Sequence, residues 1–192
     1  NPIISEASPL KENKVVVLDS PNVSQIYSTL SFLAPSIKNA KDSYALDIAT
    51  KILGSGKSSR LYQALIEQKP LALGASSGNQ TMQHAGILSV DIQCKPENLA
   101  AVKAEVFDQL DKLKKNGVTT QELEKAKNQF LKEFVFLNET TDGVAQSIGY
   151  NVTIGNLKDY TEYVNEIQKI TQDDILKALN RYLDFKKAVW IE

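Results

Sequence analysis

The 192 residues include one cysteine, one histidine, one methionine and one tryptophan. With Cys94 alone, no intrachain disulfide can form, and the redox compartment is not legible from it. Its apolar strand context makes it a small core side chain rather than a reactive thiol. His84 alone cannot supply the three or four protein ligands of a zinc centre, and it is expected on a solvated turn. A serine hydrolase would need a histidine base and a G-x-S-x-G elbow. Gly54-x-Gly56-x-Ser58 has the wrong order for that elbow. A Cys94–His84 couple is expected to stay out of contact across one hairpin. Charge of one sign is also missing. Twenty-two basic residues face 23 acidic ones for a net charge of −1, which leaves no electrostatic footprint for nucleic acid or an anionic membrane. No apolar run approaches the length of a membrane span, and no signal-peptide pattern is present.

What is present is ordinary for a soluble globular chain: 42% apolar and 23% charged residues. The length suits one domain with a sizeable core. Residues 1–13 are polar and contain proline, and read as a linker or arm; 14–192 read as a single domain. The chain starts at Asn1 and stops at Trp190-Ile191-Glu192, inside an apparent strand. Both ends lead us to expect a fragment of a longer chain.

The chain predicts strands over Lys14 to Asp19 and Val23 to Leu33 as an opening pair, the second with Ile26, Leu30 and Phe32 on one face. A helix follows from near Ala40, with Tyr44, Ala45, Ile48, Ala49 and Ile52 at helical spacing. Leu71 to Gly78 reads as an extended small-residue segment, Asn79 to Ala85 as a turn, and Gly86 to Cys94 as an alternating strand; together they form an antiparallel hairpin. Pro96 to Asn116 is the clearest helix, striped by Leu99, Val102, Val106, Leu110 and Leu113. Thr119-x-x-Glu122 is a capping box for a helix with Leu123, Ala126, Phe130, Phe134 and Leu137 inward. Glu139 to Asp142 breaks that helix. Helices follow over Asp142 to Ile154, with Val144, Ile148 and Val152 inward, and over Leu157 to Ile170. Thr171-x-x-Asp174 caps the last helix, carrying Ile175, Ala178, Leu179 and Leu183, before a strand over Lys186 to Ile191. This order predicts an α+β fold, a largely antiparallel sheet with helices packed on one face.

The stretch LGSGKSSRLYQALIEQKPLALGASSG, Leu53 to Gly78, carries the functional question. Gly56-Lys57-Ser58 matches the tail of a phosphate-binding loop, but that pattern needs glycine where Lys51 stands and a strand where a helix enters. A nucleotide-binding module is therefore the weakest reading. In the other reading, Gly54 and Gly56 end one helix, Ser58 or Ser59 caps the next, Leu61, Ala64 and Leu65 face inward, and Pro70 stops it.

This order of elements, with its Ser58-Ser59-Arg60-Leu61-Tyr62 block, resembles the insulinase and pitrilysin type of zinc peptidase, which includes the mitochondrial processing peptidases. The resemblance is to the second, non-zinc domain in each half of those enzymes, and the V-T-T-x-E-L and I-T-x-D-D-I helix starts extend it. It implies a non-catalytic domain that forms part of a substrate chamber and packs against a zinc-bearing domain. Zinc is expected in the parent or partner domain, with none held by this chain. The implied partners are a zinc-bearing domain of the same parent chain or a partner subunit, a peptide substrate and, as a further arrangement, a homodimer; nucleic acid and membrane are not among them. The family's H-x-x-E-H helix is absent. The arginine and tyrosine that assisting domains place seven residues apart fall at Ile66 and Leu73, which cannot donate a side-chain hydrogen bond. No catalytic, cofactor-binding or metal residue is therefore assigned.

Other polar candidates have structural explanations. Glu122, Glu124, Asp173 and Asp174 favour helix starts, and Lys112, Lys114 and Lys115 a helix end. The three N-x-[ST] matches at Asn22, Asn138 and Asn151 are expected by chance. A purely structural protein of the same fold, like the core subunits of respiratory complexes, is the alternative to a peptidase domain. The compartment is unread; a bacterial source would allow periplasm or cytoplasm.

Overall fold

Two strongly alternating segments build the inner wall of the sheet. In the computed structural model, which describes residues 10–18, 24–155 and 157–192, strand β2 (Ile26–Ala34) pairs antiparallel with β4 (Gly86–Cys94). Their alternate side chains Leu30, Phe32, Leu88, Val90, Ile92 and Cys94 are all buried, as the two-residue repeat of a half-covered sheet requires. β3 (Ala72–Thr81) lies antiparallel on the far side of β4, with an irregularity between Ala72 and Gly74. β5 (Ala188–Ile191) runs antiparallel to β2, and β1 (Lys14–Val16) runs parallel to β5. The sheet order is β1-β5-β2-β4-β3. The opening strands are thus not paired with each other; β1 joins the sheet through the last strand. β3 also continues through Thr81, so the turn is confined to 82–85, where the Met82 N–H donates to the Ala85 carbonyl at 2.9 Å. The N-x-[ST] match at Asn22 lies outside the described residues.

Helix α1 (Ala40–Gly54) is the hub. Leu46, Ile48 and Leu53 are essentially inaccessible, because α1 lies between β3 on one side and the later helices on the other. The segment after the glycine turn, α2, is α-helical over Arg60–Tyr62 and π-helical over Gln63–Gln68, not a regular helix throughout. Leu61, Ala64 and Leu65 are buried as their spacing predicts. Ser59 occupies the cap position but does not cap: its hydroxyl donates to the Gly56 carbonyl at 2.7 Å.

The remaining helices are α3 (Leu99–Asn116, after a 3-10 turn Pro96–Asn98), α4 (Thr120–Leu137), α5 (Thr141–Ile154), α6 (Leu157–Lys169) and α7 (Gln172–Tyr182). The predicted capping box at Thr119 forms, and the predicted cap at Thr171 is a capping box as well. The Glu122 and Asp174 backbone N–H groups donate to the Thr119 and Thr171 hydroxyls, and each carboxylate accepts from its cap residue's N–H. The inward stripe of α3 holds except that Leu99 is only half-buried. The stripes of α4 and α5 fail toward their ends. Phe130 and Phe134 are half-buried, and Leu137 and Val152 are exposed. The only buried residue of α5 is Gly143. The reason is geometric: α5 packs on the ends of α4 and α6 rather than on the sheet, so its apolar side chains overhang an opening instead of a core.

A polar seam binds α1 to β3. Ser43, Asp47, Thr50 and Gly54 recur at steps of four, three and four, on one face of the helix. They meet the alternating residues Thr81, Asn79 and Ser77 of the strand. The Ser43 and Thr81 hydroxyls bond to each other. Asn79 Nδ2 donates to Asp47 Oδ1 at 2.7 Å, and the Ser77 hydroxyl donates to the Thr50 carbonyl at 2.8 Å. At Gly54 the backbones nearly touch, and an added Cβ would lie 2.3 Å from the Ser77 backbone nitrogen. Gly54 therefore serves helix–strand contact, not a phosphate. Gly54→Ala is expected to force the two elements apart and to destabilise the fold by about 2–4 kcal/mol, read as a fall of several degrees in thermal unfolding.

Candidate functional site

Beyond the seam, α1 and the β3 edge form one wall of a cleft. The ends of α4, α5 and α6 form the other. Its volume is about 460 Å³, within the range of small-molecule and side-chain pockets. The walls are aromatic: Tyr44 and Tyr163 meet edge to face with centroids 5.3 Å apart, and Phe134 lies against Tyr160 at 5.7 Å. Tyr160 donates to Asn138 Oδ1 at 2.5 Å and Tyr150 to the Thr81 carbonyl at 2.8 Å, tying α6 and α5 across the opening.

The floor is ionic. Asp47 accepts from Asn79 Nδ2 at 2.7 Å and from the Tyr163 hydroxyl at 3.2 Å. Desolvation nonetheless dominates and raises its carboxyl to about 6, against the opposing effects of those two hydrogen bonds and of Lys51. Lys51, one helical turn further along α1, is engaged elsewhere. Its ammonium sits 2.6 Å from both Glu133 oxygens and 4.4 Å from the Phe130 ring centre. Tyr44 is pushed up to about 12 by its own burial and then by the carboxylates Asp159, Asp47, Glu166 and Glu162. Two buried polar atoms in the cleft have no hydrogen-bond partner among the described residues: Asn79 Oδ1 and Ser147 Oγ. Native buried polar atoms are rarely left so.

The residues weighed in the sequence lie elsewhere. His84 is half-buried in the β3–β4 turn. Cys94 is buried at the end of β4, where desolvation and then Glu97 raise its thiol. Among the described residues no three histidine, cysteine, aspartate or glutamate side chains converge as metal ligands. Ile66 packs against the core and Leu73 is exposed at the start of β3. Lys112 and Lys115 pair with Asp108 and Asp111, while Lys114 donates to the Leu183 carbonyl. The Asn138 amide donates to the Phe134 carbonyl and that of Asn151 to the Ser147 carbonyl, both as local helix ties.

Glu122 does more than start a helix. Arg60 grips it with two parallel bonds of 2.8 Å and also donates to the Gly117 carbonyl at 3.0 Å, locking α2 to the α3–α4 corner. The Arg60 guanidinium, followed by the Thr119 cap, holds Glu122 down at about 2 despite partial burial. This fork is the physical content of the S-S-R-L-Y block.

Sequence reasoning did not single out Asp47 or Asn79. The available signal was a carboxylate set between Leu46 and Ile48, in line with Ser43 four residues before it and Thr50 three residues after it.

A family model described as the peptidase M16 inactive domain matches residues 2–130. The chain is 28% identical over 170 residues to the zinc protease PqqE of Helicobacter pylori, an alignment covering 88% of this chain and 38% of that protein. Its fold matches the crystal structure of a protease from Helicobacter pylori with a TM-score of 0.91 at 26% identity, covering 100% of this chain and 46% of that one. It also matches the crystal structure of an inactive peptidase domain from Bordetella parapertussis, with a TM-score of 0.74 at 19% identity over 88% of this chain and 92% of that one. The chain thus spans less than half the length of the Helicobacter pylori relatives.

Two outcomes test this electrostatic account. A carboxyl raised from 3.8 to about 6 favours folding below the lower value and loses that contribution as pH rises through the upper one. Asp47→Asn should therefore raise the melting temperature by several degrees above pH 6, roughly 2 kcal/mol, with the gain vanishing near pH 4. Glu122 has the opposite sign: its lowered carboxyl stabilises above the ordinary carboxylate range and loses that as pH falls toward 2. Arg60→Ala should cost about 1–3 kcal/mol at pH 7, with the difference from the parent sequence shrinking in acid; Arg60→Lys should recover only part.

Proposed function

Since the chain belongs to the peptidase M16 inactive-domain family, we propose that it acts within a longer zinc peptidase, walling part of the substrate chamber and packing against a zinc-bearing domain. The observation that carries this reading is the pairing of the family match over residues 2–130 with a single histidine, one short of what an H-x-x-E-H zinc site requires. One histidine cannot supply the two of an H-x-x-E-H or H-x-x-E-H-like helix, whichever fold presents it. The residues of this chain do not fit the metal, so its ligands belong to another domain, and no catalytic step is assigned here.

The surface supports a division of labour. Val15, Val16, Val17 and Leu18 are exposed along the β1 edge, Leu18 at 70%. On α4, Leu131, Val135 and Phe136 are exposed, Phe136 at 68%. Contiguous apolar side chains of this kind mark surfaces that another domain covers. The middle of the sheet's open face is polar by contrast, between the exposed Leu33 and Ile87 toward one end and Ile191 at the β5 side. Thr29 donates to Asp91 Oδ1 at 2.7 Å and Ser89 to Asp91 Oδ2 at 3.0 Å. A hydroxyl–carboxylate network suits a wetted chamber wall, whereas the aliphatic edges suit a dry domain contact.

The full-length parent should cleave an internally quenched peptide in a chelator-sensitive manner, and this chain alone should not. Chelator-sensitive cleavage by the isolated chain would sink the proposal. Phe136→Asp should leave the melting temperature of the isolated chain within about 1 °C, because the side chain is exposed. It should weaken the association of this chain with the zinc-bearing domain supplied as a separate polypeptide, measured by calorimetry.

A further inference from the structure

The cleft described above has a chemistry that neither a chamber wall nor a domain contact requires. A half-buried carboxylate, Asp47, sits at its floor, and burial raises its pKa more than its two hydrogen bonds lower it. The internal cation that could neutralise it, Lys51, is turned onto Glu133. An amide oxygen, Asn79 Oδ1, and a hydroxyl, Ser147 Oγ, lie buried in the same cleft with no partner among the described residues. Tyrosine and phenylalanine rings form the walls. An unfilled acceptor, a carboxylate with lone pairs to spare and a cage of π faces call for a ligand that is positive, rich in N–H donors and carried on an apolar stem.

We propose that this cleft binds the guanidinium or ammonium group of a peptide side chain, seated between Asp47 and Asn79 Oδ1 with its alkyl stem against the tyrosine rings. An arginine fits the demand most fully, since its planar fork can donate to the carboxylate and the amide oxygen together. A metal ion fits poorly, because among the described residues no three ligating side chains converge. An anion is opposed by the carboxylates Asp47 and Glu133 in the lining. The volume, about 460 Å³, exceeds one side chain and leaves room for neighbouring backbone. The choice of a peptide as the bearer of the cation rests on the reading of this domain as part of a peptidase. The choice of a cation does not.

The chain can be tested alone, since the Bordetella parapertussis inactive domain, 92% of which it covers, crystallised as such. It would be titrated at pH 7.5, by calorimetry and by amide chemical shifts, with acetyl-Gly-Gly-Arg-Gly-Gly-amide, the same peptide with glutamine in place of arginine, and agmatine. The arginine peptide should bind at least tenfold more tightly than the glutamine peptide, with shifts centred on α1, β3 and α6. Asp47→Asn should lose that preference while melting no lower than the parent sequence. Glu133→Gln, at an exposed position, should weaken binding too, because it frees Lys51 to face Asp47.

Equal affinity for the arginine and glutamine peptides would overturn the proposal, as would undiminished binding by Asp47→Asn. Agmatine binding as tightly as the peptide would assign the cleft to free amines and overturn the peptide part. Cleavage by the parent and cation binding by this chain are read separately, so either result can fail without the other.

Discussion

The constraint on which the structure depends is the close approach of α1 to β3. A helix and an edge strand normally meet through bulky aliphatic side chains that keep the backbones apart. Here the contact is made by serine, threonine, asparagine and glycine, and at Gly54 the backbones come within reach of each other. The seam works because two periodicities coincide over a short distance. Seven residues of helix rise about 10 Å and four residues of strand about 13 Å. Ser43 and Thr50 therefore find Thr81 and Ser77, with Asp47 and Asn79 between them. With α1 held there, its remaining faces are free to seat α7, α4 and α6, and the core closes around Leu46, Ile48 and Leu53.

The cleft is a by-product of the same seam. Small side chains between α1 and β3 leave volume that larger ones would have filled, and the ends of α4 to α6 bridge it with aromatic rings instead of plugging it. Asp47 belongs to both features. It is a hydrogen-bonding member of the seam and the ionic floor of the cleft. Its pKa is raised because the hydrogen bonds of the seam do not fully compensate its burial.

Much of the architecture was legible in the sequence because its physics is local. Alternation in Gly86 to Cys94, the stripe of α3 and the two capping boxes each depend on residues a few positions apart. What was not legible depended on distant partners. Nothing near Lys14 says that it will lie opposite Val189 rather than beside β2. Leu137 at the end of α4 and Val152 on α5 look like core residues by spacing, yet α5 packs on α4 and α6 rather than on the sheet. Arg60 was visible as part of a distinctive block, but its meaning lay 62 residues away at Glu122. The cleft was hidden for a different reason. Its polar stripe runs down a helix whose apolar stripe is stronger, and hydrophobic periodicity registers only the latter.

The parallel pairing of β1 with β5 has a mechanical corollary. Leu18 donates to the Glu192 carbonyl at 2.7 Å and Glu192 to the Val16 carbonyl at 2.9 Å, so the first and last described strands lie side by side and point the same way. Tension applied ahead of Lys14 and beyond Glu192 would pull the two strands lengthwise past each other. Their backbone bonds would share the load and yield together, whereas an antiparallel pair held at one end would open bond by bond like a zip.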